Sequence, residues 1–184
     1  ADAPEIARIY APYVETTTVT FEYVPPTAEE FARRISHTLP QYPYLKAVED
    51  GRTIGYAYAS SLHPRAAYQW ATELSVYLDM NCTGRGVGKA LYEALMELLL
   101  LQGYVVAYGC IALPNEPSIA LHQKLGFTLS GTWERSGYKF GKWLDVVWLQ
   151  KFLCPLPASP KEPTAFSQLP PEEVSQILSR YTIQ

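Results

Sequence analysis

Three glycines at alternate positions, in Thr83-Gly84-Arg85-Gly86-Val87-Gly88-Lys89-Ala90, are the clearest chemical signal in the chain. Alternate glycines let a backbone come close to a ligand and turn its N–H groups outward. Val87, Ala90, Leu91, Ala94, Leu95, Leu98 and Leu99 recur at helical spacing, so unpaired amides and the positive end of a helix dipole stand beside the glycines. That arrangement suits an anion, most often phosphate. A P-loop needs Ser or Thr after its Lys to hold magnesium, and Ala90 stands there; a dinucleotide fingerprint reads G-x-G-x-x-G, where this chain reads G-x-G-x-G. A metal-free polyphosphate cradle remains, with an ordinary glycine-rich turn before a helix as the alternative. Just upstream, Glu73, Ser75 and Tyr77 alternate with Leu74, Val76 and Leu78. A strand is predicted there, with a carboxylate on its polar face.

These residues need elements to hold them, and the chain supplies a regular series. Ile6, Ile9, Tyr10, Tyr13 and Val14 mark one face of a first helix, and β-branched residues 16–20 break it. Thr27-x-x-Glu30 is a capping box that opens a second helix with Phe31, Ile35 and Leu39 on one stripe. Residues 44–49 and 53–60 read as strands joined by a hairpin across Asp50-Gly51. The strand over residues 70–78 leads into the glycine loop and its helix, and residues 104–112, apolar almost throughout, predict a strand buried on both faces. A short helix carries Ile119, Leu121, His122 and Leu125 to a stop at Gly126, and two strands, residues 127–133 and 144–152, finish the sheet. The order α-α-β-β-β-α-β-α-β-β implies an α/β chain, a mixed sheet flanked by helices.

A chain of 184 residues, 48% hydrophobic and 18% charged, fits one globular domain with room for an appendage. Its net charge of -3 argues against a general nucleic-acid surface, so any phosphate site is local. Cys82, Cys110 and Cys154 are widely spaced and form no C-x-x-C, which points to neither a disulfide frame nor a metal site and suits a reducing cytoplasm. No apolar run approaches the roughly 18 residues of a membrane span, so no membrane partner is expected. The expected division is a domain over residues 1–154, a proline-rich linker over 155–169 and an amphipathic helix over 170–184, with Val174, Ile177, Leu178 and Tyr181 on one stripe. That helix either docks on its own domain or reaches a partner subunit.

The glycine loop, Leu113-Pro114-Asn115-x-x-Ser118 and Leu121-His122-x-x-Leu125-Gly126-Phe127 together resemble the GNAT superfamily of N-acetyltransferases. Within it the chain resembles the phosphinothricin and methionine sulfoximine acetyltransferase group, through Tyr13-Val14-Glu15-Thr16 with Thr18 and Phe21, Arg65-x-x-Tyr68-x-Trp70-x-x-Glu73, Ser75-Val76-Tyr77, and Gly137-Tyr138-Lys139 with Gly141 and Trp143-x-Asp145-Val146. The resemblance covers residues 1 to about 157. It implies an acyl-CoA N-acyltransferase fold whose usual first strand, ahead of the first helix, is missing from this sequence. It also implies a homodimer using acetyl-CoA, with no metal, on a small-molecule amine.

Carried over by position, the backbone of Val76, Tyr77 and Leu78 would pair with the pantetheine arm. Arg85, Gly86, Val87, Gly88 and Lys89 would hold the phosphates, and Asn115 and Ser118 would contact the cofactor across a splay between two strands. Thr83 departs from the Arg or Gln usual at that point of the loop. Acetyl transfer needs a neutral amine, in-line geometry and donors for a developing oxyanion. Glu73 is the candidate general base, against a plain ion-paired strand carboxylate. Tyr77 and His122 are candidate proton donors to the leaving thiolate, although a His on an apolar helix also suits the core. Thr18, Phe21, Arg65, Tyr68, Glu73 and Phe140 would form the acceptor site, Arg65 offering a fork for a carboxylate unless it is only a surface-loop cation. Herbicide-detoxifying members carry His where Phe140 stands, a change that concerns phosphinothricin itself and not acetyl transfer; methionine sulfoximine and methionine sulfone fit equally. Two other classes share a CoA site: a protein or peptide acetyltransferase, which needs an open groove, and a non-catalytic CoA-binding module, which has no need of Glu73 and Arg65 together.

Overall fold

Two amphipathic helices begin the chain in the computed structural model, which describes residues 2–182. Helix α1 (Ala3–Thr16) takes Pro4 in its first turn, where a missing N–H costs little, and buries Ile6, Ile9, Tyr10 and Val14. Helix α2 (Ala28–Thr38) starts at Thr27, whose hydroxyl accepts from the Glu30 N–H at 3.2 Å. It stops one residue short of the predicted stripe, so Leu39 lies outside the helix and is exposed while Phe31 is buried.

Strands β1 (Tyr44–Glu49) and β2 (Arg52–Ser61) meet at Asp50-Gly51, both with positive φ, the tight turn the sequence predicts. Then come β3 (Ala71–Leu78), α3 (Val87–Gln102), β4 (Val106–Ala112), α4 (Glu116–Lys124), β5 (Thr128–Lys139), β6 (Lys142–Phe152) and α5 (Pro171–Ser179). The sheet runs β1-β2-β3-β4-β6-β5, antiparallel except between β3 and β4. A parallel neighbour needs a crossover, and α3 provides it. On one face Leu91, Leu95 and Leu99 of α3 pack with Ala57, Leu74 and Ala107; on the other Ile6, Ile9, Val14 and Phe31 close over Tyr56.

The pairing of β3 with β4 is short. It runs only from Ala71 opposite Val106 to Glu73 opposite Tyr108. Beyond that, β3 stays with β2 as far as Leu78 opposite Gly55, and β4 stays with β6 as far as Ala112 opposite Val146. A wedge therefore opens in mid-sheet, with Glu73 at its vertex.

Two expectations need correction here. Strand β4 is not buried on both faces: Ala107, Gly109 and Ile111 are buried, whereas Cys110 is exposed toward the wedge. The closing hairpin is also longer than predicted, because Phe140-Gly141 alone makes its turn, with φ of 49° and 76°. The C-terminal segment lies along its own domain. The Trp70 indole N–H donates to the Lys161 carbonyl at 2.7 Å, Gln102 Nε2 donates to the Thr164 carbonyl at 2.8 Å, and Arg180 and Tyr181 both bond Glu97 of α3. Of the helix expected over 170–184, α5 accounts for Pro171–Ser179, and residues 183–184 lie outside the described residues.

Candidate active site

The wedge widens into a cleft of about 1060 Å³, large enough for a cofactor. One wall is β3 from Leu74 to Leu78, and the other comes from Cys110 and Ile111 of β4 with Asn115, Ser118 and His122 at and within α4. The glycine loop closes one end. Gly84 and Gly86 have φ of 75° and 85°, values that favour glycine, and a Cβ built on either meets nothing within 4 Å. Gly86 provides no side-chain cap for α3, so the first amides of that helix are free to face an anion in the cleft.

The expected loop residues divide. Gly86, Gly88 and Lys89 line the cleft, together with Thr83. Lys89 also pairs with Glu93 at 2.9 Å. Arg85 does not face the cleft: its guanidinium forks onto Glu49 at the end of β1. Val87 puts its side chain in the core, 2% exposed, leaving only its amide for a ligand. Across the cleft, Asn115 Oδ1 accepts from the Ser118 N–H at 3.3 Å and caps α4, so the residue expected at the cofactor also fixes the helix that forms the wall.

Glu73 sits where the two strands part. Burial pushes its carboxyl above the ordinary carboxylate value of 4.5, and among the described residues no cation lies within salt-bridge distance of it. Among the described residues Glu73 therefore forms no ion pair, and burial alone sets the direction of its shift. Tyr77 projects to the α1 side, its ring 4.8 Å from Tyr10 and 5.6 Å from Tyr56, and burial keeps its phenol protonated well beyond the usual range. His122 is 2% exposed and edge-on to Tyr92 and Phe127. Its Nδ1 lies 2.8 Å from the Ser118 carbonyl, which can only accept, so Nδ1 carries the proton. Burial lowers the pKa of the ring, leaving Nε2 as a lone pair without a partner against Gly109. A neutral ring in that tautomer accepts a proton at Nε2 and has none to give there.

The expected acceptor residues are only partly assembled. Phe21 packs its ring on Gly137, where a Cβ would collide with it, and Tyr23 donates its hydroxyl proton to the Tyr138 carbonyl. Lys139, only 1% exposed, donates to the Thr20 carbonyl at 2.8 Å and lies 5.1 Å from the Phe140 ring. Residues 17–23, which carry half-buried Thr18, are thus latched onto the β5–β6 hairpin. Arg65 and Tyr68 are not brought there. Both sit on the exposed turn before β3, and Tyr68 packs against His63 with the rings tilted by 38° and centroids 4.8 Å apart.

A family description, acetyltransferase (GNAT) domain, matches residues 1–148. The chain belongs to the GNAT acetyltransferase family. Its relatives include a phosphinothricin N-acetyltransferase of Streptomyces viridochromogenes, 37% identical over 89% of this chain and 90% of that one. An L-methionine sulfoximine/L-methionine sulfone acetyltransferase of Pseudomonas aeruginosa is 35% identical over 87% and 94% respectively. Among solved structures, a GNAT-superfamily phosphinothricin acetyltransferase from Sinorhizobium meliloti in complex with acetyl-CoA superposes with a TM-score of 0.85 at 37% identity, covering 91% of this chain and 92% of that one. GNAT acetyltransferases use acetyl-CoA, and the glycine loop forms one end of the cleft.

The sequence reading missed three contributors to this GNAT site. Tyr92, fully buried on α3, lines the cleft behind His122, and its place in the apolar stripe concealed it. Lys139 was legible only as part of a motif. Tyr13 was read on one face of the first helix and as part of a family motif; it also donates to the Leu78 carbonyl at 2.8 Å, holding the end of β3.

Proposed function

We propose that this GNAT acetyltransferase moves the acetyl group of acetyl-CoA directly to the amine of a small amino-acid-like acceptor, of the phosphinothricin, methionine sulfoximine or methionine sulfone type. The observation that carries the reading is the parting of β3 and β4 at Glu73. It sets a half-buried carboxylate, with no salt bridge among the described residues, at the point where the strands separate to open a cleft whose far end is the glycine loop. The relatives named for phosphinothricin and methionine sulfoximine supply the acceptor class.

The chain's own residues then have distinct tasks. Past Glu73, the edge of β3 that β4 has left offers backbone groups to the pantetheine arm at Val76, Tyr77 and Leu78, and a donor to the developing oxyanion. Loop amides, with Lys89, hold the phosphates. Glu73 takes a proton from the acceptor ammonium, and the free amine attacks the thioester carbonyl. As the tetrahedral intermediate collapses, the C–S bond breaks and the second proton of the attacking nitrogen passes to the departing thiolate, leaving the amide and CoA thiol. Of the two proposed donors to the thiolate, Tyr77 keeps its proton, while His122 in its neutral form accepts. Cys110 opens onto the cleft, but desolvation by the cleft walls and the nearby Glu73 carboxylate push its thiol up to about 12, which opposes an acyl-enzyme route. Phe21 and the latched loop shape the acceptor pocket, while Arg65 and Tyr68 stay outside it on the turn before β3.

A homodimer is part of the proposal, supported by the uncovered aromatic side of the β5–β6 hairpin, where Trp133 and Trp143 are 56% and 64% exposed. Three unpaired thiols fit a reducing cytoplasm. Release of free CoA over a panel of amino acids, including the three named acceptors, tests the function. Turnover confined to protein substrates would replace this reading with the peptide one, and CoA binding without turnover on any amine would reduce the chain to a binding module. Glu73→Gln should bind acetyl-CoA as before and lower kcat by about 10²- to 10⁴-fold.

A further inference from the structure

Asp79 follows Leu78 directly and takes no part in the chemistry above, yet it is 7% exposed and heavily bonded. Its Oδ2 accepts from Arg8 Nη1 and from Arg52 Nη2, each at 2.7 Å. Its Oδ1 accepts from the Asn81 N–H at 3.1 Å and from Asn81 Nδ2 at 3.2 Å. The Asp79 N–H donates to the Ile54 carbonyl and its carbonyl accepts from the Cys82 N–H, both at 2.8 Å. Arg8 in addition donates through Nη2 to the Thr53 carbonyl at 2.9 Å. One carboxylate therefore ties α1, β2 and the 3-10 turn Met80–Cys82 together where β3 ends and the glycine loop begins.

Beyond Asp79 the loop is also held by the Arg85 fork onto Glu49, which leaves the stretch between Asn81 and Arg85 lightly tied. Thr83 makes one long bond, 3.4 Å to the Met80 carbonyl, and the space around Gly84 and Gly86 is open. A glycine-rich segment that must be ordered by its ligand binds that ligand more weakly than one held ready. The charges also matter, because a bare carboxylate at this point would repel a pyrophosphate. Two guanidiniums against one carboxylate leave the cluster positive, and Arg8 beside Asp79 holds the carboxyl below the ordinary value of 3.8.

We propose that Asp79 is a positioning residue for the cofactor: through Arg8, Arg52 and Asn81 it sets the glycine loop so that its amides converge on the pyrophosphate of acetyl-CoA. The proposal rests on the acetyl-CoA reading of the cleft. It makes the Asp79 effect specific to the nucleotide end of the cofactor, which a general loss of structure would not be.

The test compares acetyl-CoA with S-acetylpantetheine, which has the thioester and arm but no pyrophosphate, as donors to the best acceptor of the amino-acid panel. In Asp79→Asn the KM for acetyl-CoA should rise about tenfold, the loss of one charge-assisted bond network. The KM for S-acetylpantetheine and kcat with either donor should stay within about twofold, since neither senses the phosphates. An equal rise for both donors, or a fall in kcat with both, would overturn the proposal. Calorimetric titration with CoA gives the same comparison without turnover, so a chain that binds CoA but acetylates nothing still tests Asp79, while wild-type protein that binds no CoA sinks both readings. Should Asp79→Asn fail to fold, Arg52→Gln decides, because Arg52 is largely exposed. Weaker CoA binding that persists at about 0.5 M salt, where simple charge attraction is screened, supports positioning. Unchanged binding overturns it.

Discussion

At the scale of single residues, Glu73 turns a structural fact into a pH dependence. A general base works in its ionised form, and burial raises its pKa above 4.5. The ionised fraction, and with it kcat/KM, therefore falls as pH drops through a value higher than that of a solvated glutamate. The acid limb of the profile should lie above pH 4.5 and disappear in Glu73→Gln; a limb that survives the substitution belongs to another group. Glu73 was legible because strand alternation puts every second residue on one face. Asp79 was not, since its partner Arg8 is 71 positions away and no spacing rule spans that distance. Arg85 shows the complementary failure: its position in the loop was readable, but the direction of its side chain was decided by Glu49 on another strand.

Among elements, the proposed function gives the hairpin of β5 and β6 the acceptor side and the glycine loop the donor side. Gly137 is in contact with the Phe21 ring, and a methyl group there would push residues 17–23 away from Lys139 and Tyr138. Gly137→Ala should raise the acceptor KM several-fold, leave the acetyl-CoA KM unaltered and cost about 1–3 kcal/mol of stability as overpacking does. Steady-state kinetics with each substrate varied, beside a melting curve, measure all three. An unchanged acceptor KM would detach that loop from recognition. The existence and order of the elements were readable from periodicity and turn residues. The open face of β4 was not, because an apolar run looks the same whether a neighbouring strand stays or departs.

In the whole molecule, the C-terminal segment belongs to the stability of its own domain. Leu169 and Ile177 are each 8% exposed, the side chains of Gln102 and Ser167 bond across the junction, and α5 rests on α3. Burying two aliphatic side chains contributes about 1.5–3 kcal/mol each. Removing residues 155–184 should lower the melting temperature while light scattering returns the same number of protomers per particle; a change in that number would restore the partner-arm reading. The stripe in α5 was visible in the sequence, but the surface that receives it was not, since Glu97 and Gln41 gave no sign of facing it.

The short pairing of β3 with β4 has a mechanical meaning as well. Among the described residues the ladder between the two plates, β1-β2-β3 and β4-β6-β5, is three residue pairs long, Ala71–Glu73 against Val106–Tyr108. In the proposed function, a pantetheine arm laid along β3 would supply the missing rungs of that ladder, bracing the plates against each other until the amide product and CoA depart.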